Sequence, residues 1–385
     1  MKAIRLASPH SFMLILALGL NIGIAQTPLP TPAPSTTPPP ATSRRAGQVL
    51  SPSELATLRA LFVKLRPGTL RLETCPTADC RIPRNVGTAF HIGNGYALTS
   101  YIMVHRAQSL SAQTLDQKRY AAEVIGYDEQ SDMALLRVNL PAETPVLPLA
   151  ATAPVSGDAL LGIGNSGNTF LTPKMGRLTG LNADAGRADF PAKTLQTDVP
   201  FRHGDTGGPI INAKGEVVGV MSFIHVGSDA TYAVPVTTSD PRIADLRQGV
   251  KRNAPMIGLV LSKAFSRVSA LPASSYMAFI KHFKLDLGPT PGAFFTSVFP
   301  NAAGAQAGLQ PLKSSADNQW IAGDIVTAVN SERVNNFSEL QSAVRRYQPG
   351  ESVTLTVLRA GQEIQVKVTL MPSTSLPEAS GENVV

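Results

Sequence analysis

Between Pro67 and Pro235 the apolar positions come in short bursts: TLRLE, VGTAFHI, GYALTS, YAAEVIGY, DMALLRV, ALLGIG, TLQTD, GPIIN and EVVGVMSFI. Short runs rich in β-branched residues, evenly spaced and parted by Gly and Pro, predict the strands of an all-β barrel or sandwich. From about Met256 the rhythm changes. GLVLS, AFFTSVF, IVTAVN and VTLTVLR alternate as strands do, whereas NAAGAQAGL and FSELQSAVRRY carry helical spacing, so the C-terminal part reads as a small α+β unit.

Two domains also suit the length, since 385 residues exceed one ordinary core of roughly 100 to 200. Ahead of them, Lys2 and Arg5 precede an apolar run from Phe12 to Ile24 and small residues at Gly23 and Ala25. This is the grammar of a cleaved export signal; the run is shorter than the roughly 18 to 20 residues that span a bilayer, and an uncleaved anchor is the alternative. QTPLPTPAPSTTPPPATSRRAGQ follows, with almost nothing to bury, and predicts a solvated linker. The chain thus divides into a leader (1–25), an unfolded Pro/Thr-rich linker (26–50), a β domain (51–250), an α+β domain (251–372) and a free tail (373–385). The mature protein is expected outside the cytoplasm, secreted or periplasmic.

Charge narrows the partners. The 34 basic and 27 acidic residues give a formal +7, which becomes +5 once Lys2 and Arg5 leave with the leader. No Lys/Arg run and no aromatic-basic stripe accompanies it, which argues against nucleic acid. The two cysteines, Cys75 and Cys80, are separated by Pro-Thr-Ala-Asp, and in an oxidising compartment they read most simply as a disulfide closing a turn. A metal site would need two further ligands, and His91 is the single histidine nearby, so no metal and no cofactor is expected.

Thr197 to Val220, TDVPFRHGDTGGPIINAKGEVVGV, resembles the nucleophile region of trypsin-like proteases and especially the HtrA pattern TDaxinpGNSGGPLxNxxGeViGv. GTAFHIGNGYALTS (Gly87 to Ser100) and DEQSDMALLRV (Asp128 to Val138) are similar to two other HtrA segments and occur in the same order. MIGLVL, SVFPNAAGAQAGLQ and AGDIVTAVNSERVNNFSELQSAV resemble an HtrA-type PDZ domain, interrupted by an insert from Pro311 to Ile321. The resemblance implies a mainly β chain, a trypsin-like double β-barrel followed by a small α+β PDZ domain.

Acyl transfer on such a scaffold needs a nucleophilic hydroxyl, an imidazole and an orienting carboxylate. Where the family reads LTNxHVV, this chain has Leu98-Thr99-Ser100-Tyr101-Ile102-Met103-Val104, so the resemblance puts Ile102 at the histidine position. It puts Asp132 at the carboxylate position, bonded to Tyr101 or to local backbone or else an ordinary turn residue, and Thr206 at the serine position. Threonine keeps a hydroxyl, but its β-methyl restricts χ1 and it has no terminal amine to serve as base. The backbone N–H groups of Gly204 and Thr206 are expected to keep an oxyanion cradle, because that depends on loop shape. Ser166, in the decoy turn Gly164-Asn165-Ser166-Gly167, and His105 and His203, which flank the site, are the alternative nucleophile and bases.

The expected function follows from these losses. The chain reads as an exported homologue without protease activity that binds exposed C-termini or unfolded polypeptides, alone, as a homo-oligomer or mixed with an active relative. The alternative is an endopeptidase of envelope protein quality control with a threonine-based site. The resemblance assigns the carboxylate-binding loop to Met256, Ile257, Gly258 and Leu259, with the flanking helix starting near Phe337. Asn383-Val384-Val385 is itself an apolar ligand of the kind such a groove accepts; whether it returns to the groove or hangs free is open at this stage.

Overall fold

The computed structural model describes residues 49–75, 83, 85–167, 169–183, 190–224, 230–314, 320–321, 323–377 and 383–385. The leader and all but the end of the linker lie outside the described residues, as does Cys80; Cys75 is not free.

The chain enters through α1 (Pro52–Leu65), which the burst pattern did not announce. Its start is dictated locally. Ser51 caps the helix, its hydroxyl accepting from the Glu54 N–H while the Glu54 carboxylate accepts from the Ser51 N–H, and Pro52 supplies a preset φ. The same carboxylate binds the buried guanidinium of Arg177 at 2.8 and 3.1 Å, and Arg177 also donates to the carbonyls of Val49 and Gly157. One arginine therefore fastens the helix start to the second barrel.

The first barrel contains β1 (Thr69–Cys75), β2 (Asn85–Gly93), β3 (Tyr96–Thr99), β4 (Ser109–Gln113), β5 (Arg119–Asp128) and β6 (Met133–Val138). They pair antiparallel in the order β5-β4-β1-β2-β3-β6, and a β5–β6 ladder closes the ring. The second barrel closes likewise from β7 (Ala159–Gly164), β8 (Thr172–Ala183), β9 (Thr194–Thr197), β10 (Pro209–Asn212), β11 (Val217–Ile224) and β12 (Thr231–Pro235), in the order β10-β11-β12-β9-β8-β7. Closure leaves neither sheet an open edge, and alternate residues fill each interior. Leu70, Leu72, Ala97 and Leu136 belong to the first core, Leu160, Leu178, Phe201 and Ile210 to the second. A further cluster joins Leu58 of α1, Leu98 and Leu135 of the first barrel, and Leu161 and Val217 of the second. The two barrels thus share apolar packing along their seam.

Helix α2 (Pro241–Arg247), capped by Asp240, packs on β5 beside Gly126, where a Cβ would stand 2.6 Å from the Leu246 carbonyl oxygen. Then β13 (Lys251–Arg252) adds in parallel to β5 and leads into the C-terminal domain. That domain begins with β14 (Pro255–Met256) and β15 (Leu259–Leu261), followed by α3 (Tyr276–His282), β16 (Ser297–Val298) and α4 (Ala303–Gln306). The 311–321 insert contains the paired strands β17 (Lys313–Ser314) and β18 (Trp320–Ile321). A four-stranded sheet follows from β19 (Asp324–Val329), β20 (Glu332–Arg333), β21 (Ser352–Arg359) and β22 (Gln362–Thr369), with α5 (Phe337–Val344) between β20 and β21. The helix and sheet enclose a core that includes Ile257, Phe295, Leu340 and Val357.

The tail departs from the expectation of a free end. Strand β23 (Met371–Pro372), at the end of the second domain, pairs with β14; within the tail, the N–H of Ser373 donates to the Ala254 carbonyl and β24 (Asn383–Val384) pairs with β15. The sequence shows no periodicity there because the pairing is only two residues long at each end.

The α1 start makes two effects measurable. Ser51→Ala should lower stability in urea denaturation by about 1 kcal/mol, the usual cost of a lost cap. The side-chain bond from Arg177, then the bonds from Ser51, hold the Glu54 carboxyl down at about 2, against an ordinary 4.5. Its stabilising effect is therefore present above pH 4.5 and disappears as pH falls from there to about 2. Glu54→Gln should flatten that part of the stability–pH profile; an unchanged profile would show that the pair does not contribute.

Candidate functional site

The site lies where the turn before β10 meets the first barrel. Residues Gly204 to Gly208 form that turn, and its backbone is held from three sides. The Thr88 N–H donates to the Thr206 carbonyl at 2.8 Å, the Thr88 hydroxyl donates to the Gly204 carbonyl at 2.8 Å, and the Gly207 N–H donates to the Met221 carbonyl at 2.8 Å. Gly207 has φ +84°, and a Cβ there would stand 2.1 Å from Thr99 Oγ1 and 2.3 Å from the Thr88 carbonyl oxygen. Only glycine allows both the left-handed backbone and so close an approach.

Beneath the turn sits Asp205, fully buried. Its carboxylate meets Lys174 Nζ of β8 at 3.1 Å and accepts from the N–H groups of Ser166 at 3.0 Å and Arg202 at 2.8 Å. A buried carboxylate persists only with such compensation, so the pair locks the turn to β8 and to the Gly164–Gly167 loop. Ser166 is accordingly part of the support: it is buried and its N–H is spent on Asp205. Gly204, at φ +97°, and Thr206 contribute N–H groups that, among the described residues, donate to no other backbone carbonyl.

Asp132 ends the loop between β5 and β6, in left-handed backbone at φ 52°. Its carboxylate accepts from Ser100 Oγ at 2.7 and 2.6 Å, from the Ile102 N–H at 3.0 Å, and from Ser222 Oγ of β11 at 2.5 Å. Burial pushes its carboxyl above the usual range, while the Ser100, Ser222 and backbone donors pull the other way. Ile102 therefore meets Asp132 through its main chain, and its side chain is 58% exposed. Tyr101 does not bond Asp132 through its hydroxyl. That hydroxyl lies 2.8 Å from His105 Nδ1, within a cluster that stacks Tyr101 against Tyr127. His203 is exposed, and no hydrogen bond joins Thr206 Oγ1 to a histidine among the described residues. His91, the histidine nearest the cysteines in sequence, is buried with Nδ1 3.2 Å from the Pro145 carbonyl oxygen.

Sequence reading missed Ser222, Lys174 and the Thr88 support. Nothing local marks them: each acts on a partner more than thirty residues away, and serine, lysine and threonine are common residues on barrel strands.

In the C-terminal domain, the N–H groups of Gly258 and Leu259 converge on the main-chain oxygen of Val385 at 2.5 and 3.0 Å, and the Val385 N–H returns to the Leu259 carbonyl at 3.1 Å. Met256 lines the adjoining groove with Gln341 and Arg345 of α5. Ile257 turns inward, fully buried in the domain core, while its carbonyl accepts from Gly304. Of the four residues assigned to the loop, two supply the N–H pair, one lines the groove and one supports it.

Two closed six-stranded barrels with this turn on their seam, followed by a groove between a strand edge and a helix, define a trypsin-like peptidase scaffold carrying a PDZ domain. Residues 87–220 match the family model described as trypsin-like peptidase domain, and residues 282–370 match the PDZ domain model. The chain thus carries a trypsin-like peptidase domain and a PDZ domain, and its relatives are HtrA/DegP-type proteases. It is 27% identical over 369 residues to the periplasmic pH-dependent serine endoprotease DegQ of Escherichia coli (strain K12), covering 88% of this chain and 75% of that protein. With the periplasmic serine endoprotease DegP of the same organism it shares 24% identity over 295 residues, 74% of this chain and 56% of DegP. Among solved structures, the serine endoprotease from Yersinia pestis superposes with a TM-score of 0.52 at 20% identity, covering 82% of this chain and 97% of the other. The HtrA-type protease AlgW with decapeptide superposes at 0.53 and 18% identity, covering 84% and 99%.

The buried pair under the turn gives a direct stability test. Lys174→Met should cost about 3 to 5 kcal/mol in urea unfolding because it strands the Asp205 carboxylate. Adding Asp205→Asn should recover part of that loss; equal losses in the single and double variants would show that the ion pair does not hold the turn.

Proposed function

We propose that this chain is an exported HtrA-type protein that has lost peptide-bond hydrolysis and retains polypeptide binding. The observation that carries the reading is Ile102. The family resemblance expects an imidazole at this position, and an isoleucine cannot take the proton from the Thr206 hydroxyl. Asp132, which would orient that imidazole, is bonded to Ser100, Ser222 and the Ile102 main chain. Removing even one triad member leaves only about 10³ to 10⁴ over water from binding and the oxyanion hole, so replacing both base and nucleophile leaves no useful turnover. Gly204 and Thr206 keep a cradle of N–H groups without a reaction to serve.

Binding falls to the PDZ groove, where the Gly258 and Leu259 N–H groups donate to a main-chain oxygen and the edge of β15 opposite β16 takes an added strand, here β24. Exposed C-termini and unfolded polypeptides are the ligand class, and a homo-oligomer or a mixed assembly with an active relative is the setting in which such a domain would act. The signal-like leader at 1–25 and the periplasmic names of the relatives support export, and a Cys75–Cys80 bridge suits that compartment. The corresponding domain limits are 51–250 and 251–372.

Purified mature protein should hydrolyse casein and fluorogenic peptides no faster than its Thr206→Ala variant. Turnover that Thr206→Ala abolishes, and that His105→Ala or His203→Ala also abolishes, would replace this reading with a rewired threonine endopeptidase.

A further inference from the structure

The groove is not empty: the chain's own residues 383–385 lie in it. Strand β24 pairs antiparallel with β15, Val384 opposite Val260 and Asn383 opposite Leu261. The main-chain oxygen of Val385 takes both loop N–H groups, and the Val385 side chain, 2% exposed, joins the apolar core that contains Ile257, Leu259, Leu340 and Val344. Gln341 Nε2 of α5 donates to the Val384 carbonyl at 2.8 Å, so strand edge, loop and helix all engage the segment. These are the contacts expected of an added ligand strand rather than of a casual end.

The segment is also tethered on both functional parts of the molecule. Before it, β23 is paired to β14, Ser373 Oγ donates to Glu129 Oε2, and Arg106 donates to the Leu376 carbonyl. Glu129 also receives the Ala254 N–H at 2.8 Å, and it belongs to the loop that holds Asp132. From Leu376 to Asn383 is a short span, and short tethers place a ligand at roughly millimolar effective concentration.

We propose that residues Asn383–Val385 are the resident ligand of their own PDZ groove, a tethered competitor that any incoming polypeptide must displace. The groove therefore selects extended segments with a β-branched apolar residue at the position of Val385, because that side chain must enter the buried core. Gln341 and the loop N–H groups read the main chain and add affinity without selecting sequence. This inference rests on reading the groove as a polypeptide-binding site, and its test separates the two.

A fluorescein-labelled hexapeptide, Ser-Gly-Glu-Asn-Val-Val, is titrated by anisotropy against the full chain, a variant lacking Val384 and Val385, and Val385→Asp, whose charge cannot enter the core. Circular dichroism confirms that all three are folded. The two variants should bind the peptide on the order of 10-fold or more tightly than the full chain, with the difference unaffected by protein dilution. Equal affinity for all three forms would overturn self-occupancy while leaving the groove a polypeptide site. Binding by none would overturn both readings, and a difference that vanishes on dilution would overturn a ligand held in cis by assigning it to a neighbouring copy.

Discussion

A single buried carboxylate, that of Asp132, ties the two barrels together at the point where chemistry would be expected. It reaches Ser100 at the end of β3, the backbone of Ile102 in the following turn, and Ser222 on β11 of the other barrel. A carboxylate taken wholly out of water must find donors, and here they come from both halves of the domain. The geometry of the loop that carries Ile102 is therefore fixed by Asp132 regardless of which side chain occupies residue 102. Scaffold and side-chain chemistry are thus separable at this position.

The same separation holds at the turn before β10. Asp205 and Lys174 bind it from below, Thr88 and Met221 bind it from the sides, and Gly207 lets it press against Thr99. None of these contacts involves the Thr206 hydroxyl. The shape of the turn comes from this packing and not from that hydroxyl. The groove of the C-terminal domain is built from a different set of atoms, the Gly258 and Leu259 N–H groups and the α5 face, none of them in the barrels. The two parts still meet physically at Glu129, which receives Ala254 of the second domain and Ser373 of the tail and lies in the loop of Asp132.

Nine of the twelve barrel strands were legible as short apolar bursts, whereas β4, β8 and β12 carry no such burst, and the nucleophile turn was legible because Gly-Asp-Thr-Gly-Gly-Pro is a dense local signal. Helix α1 was equally local, with Ser51, Pro52 and Glu54 spelling an N-terminal cap, but it stands outside the strand rhythm of the barrels. Other features were out of reach in principle. Ser222 and Asp132 are 90 residues apart, and Lys174 and Asp205 meet only because β8 and the turn share a barrel wall. The return of the tail depends on two-residue ladders at β23 and β24, too short to leave a period, although the apolar Val384-Val385 pair marked the segment as a ligand.

The central claim is that Thr206 is an unactivated hydroxyl in an intact cradle. Exposure of the purified protein to a fluorophosphonate probe, followed by intact-mass measurement and peptide mapping, tests it at the residue concerned. The account predicts no adduct on Thr206 under conditions that label an active HtrA-type protease to completion; a stoichiometric phosphonyl adduct on Thr206 would contradict it.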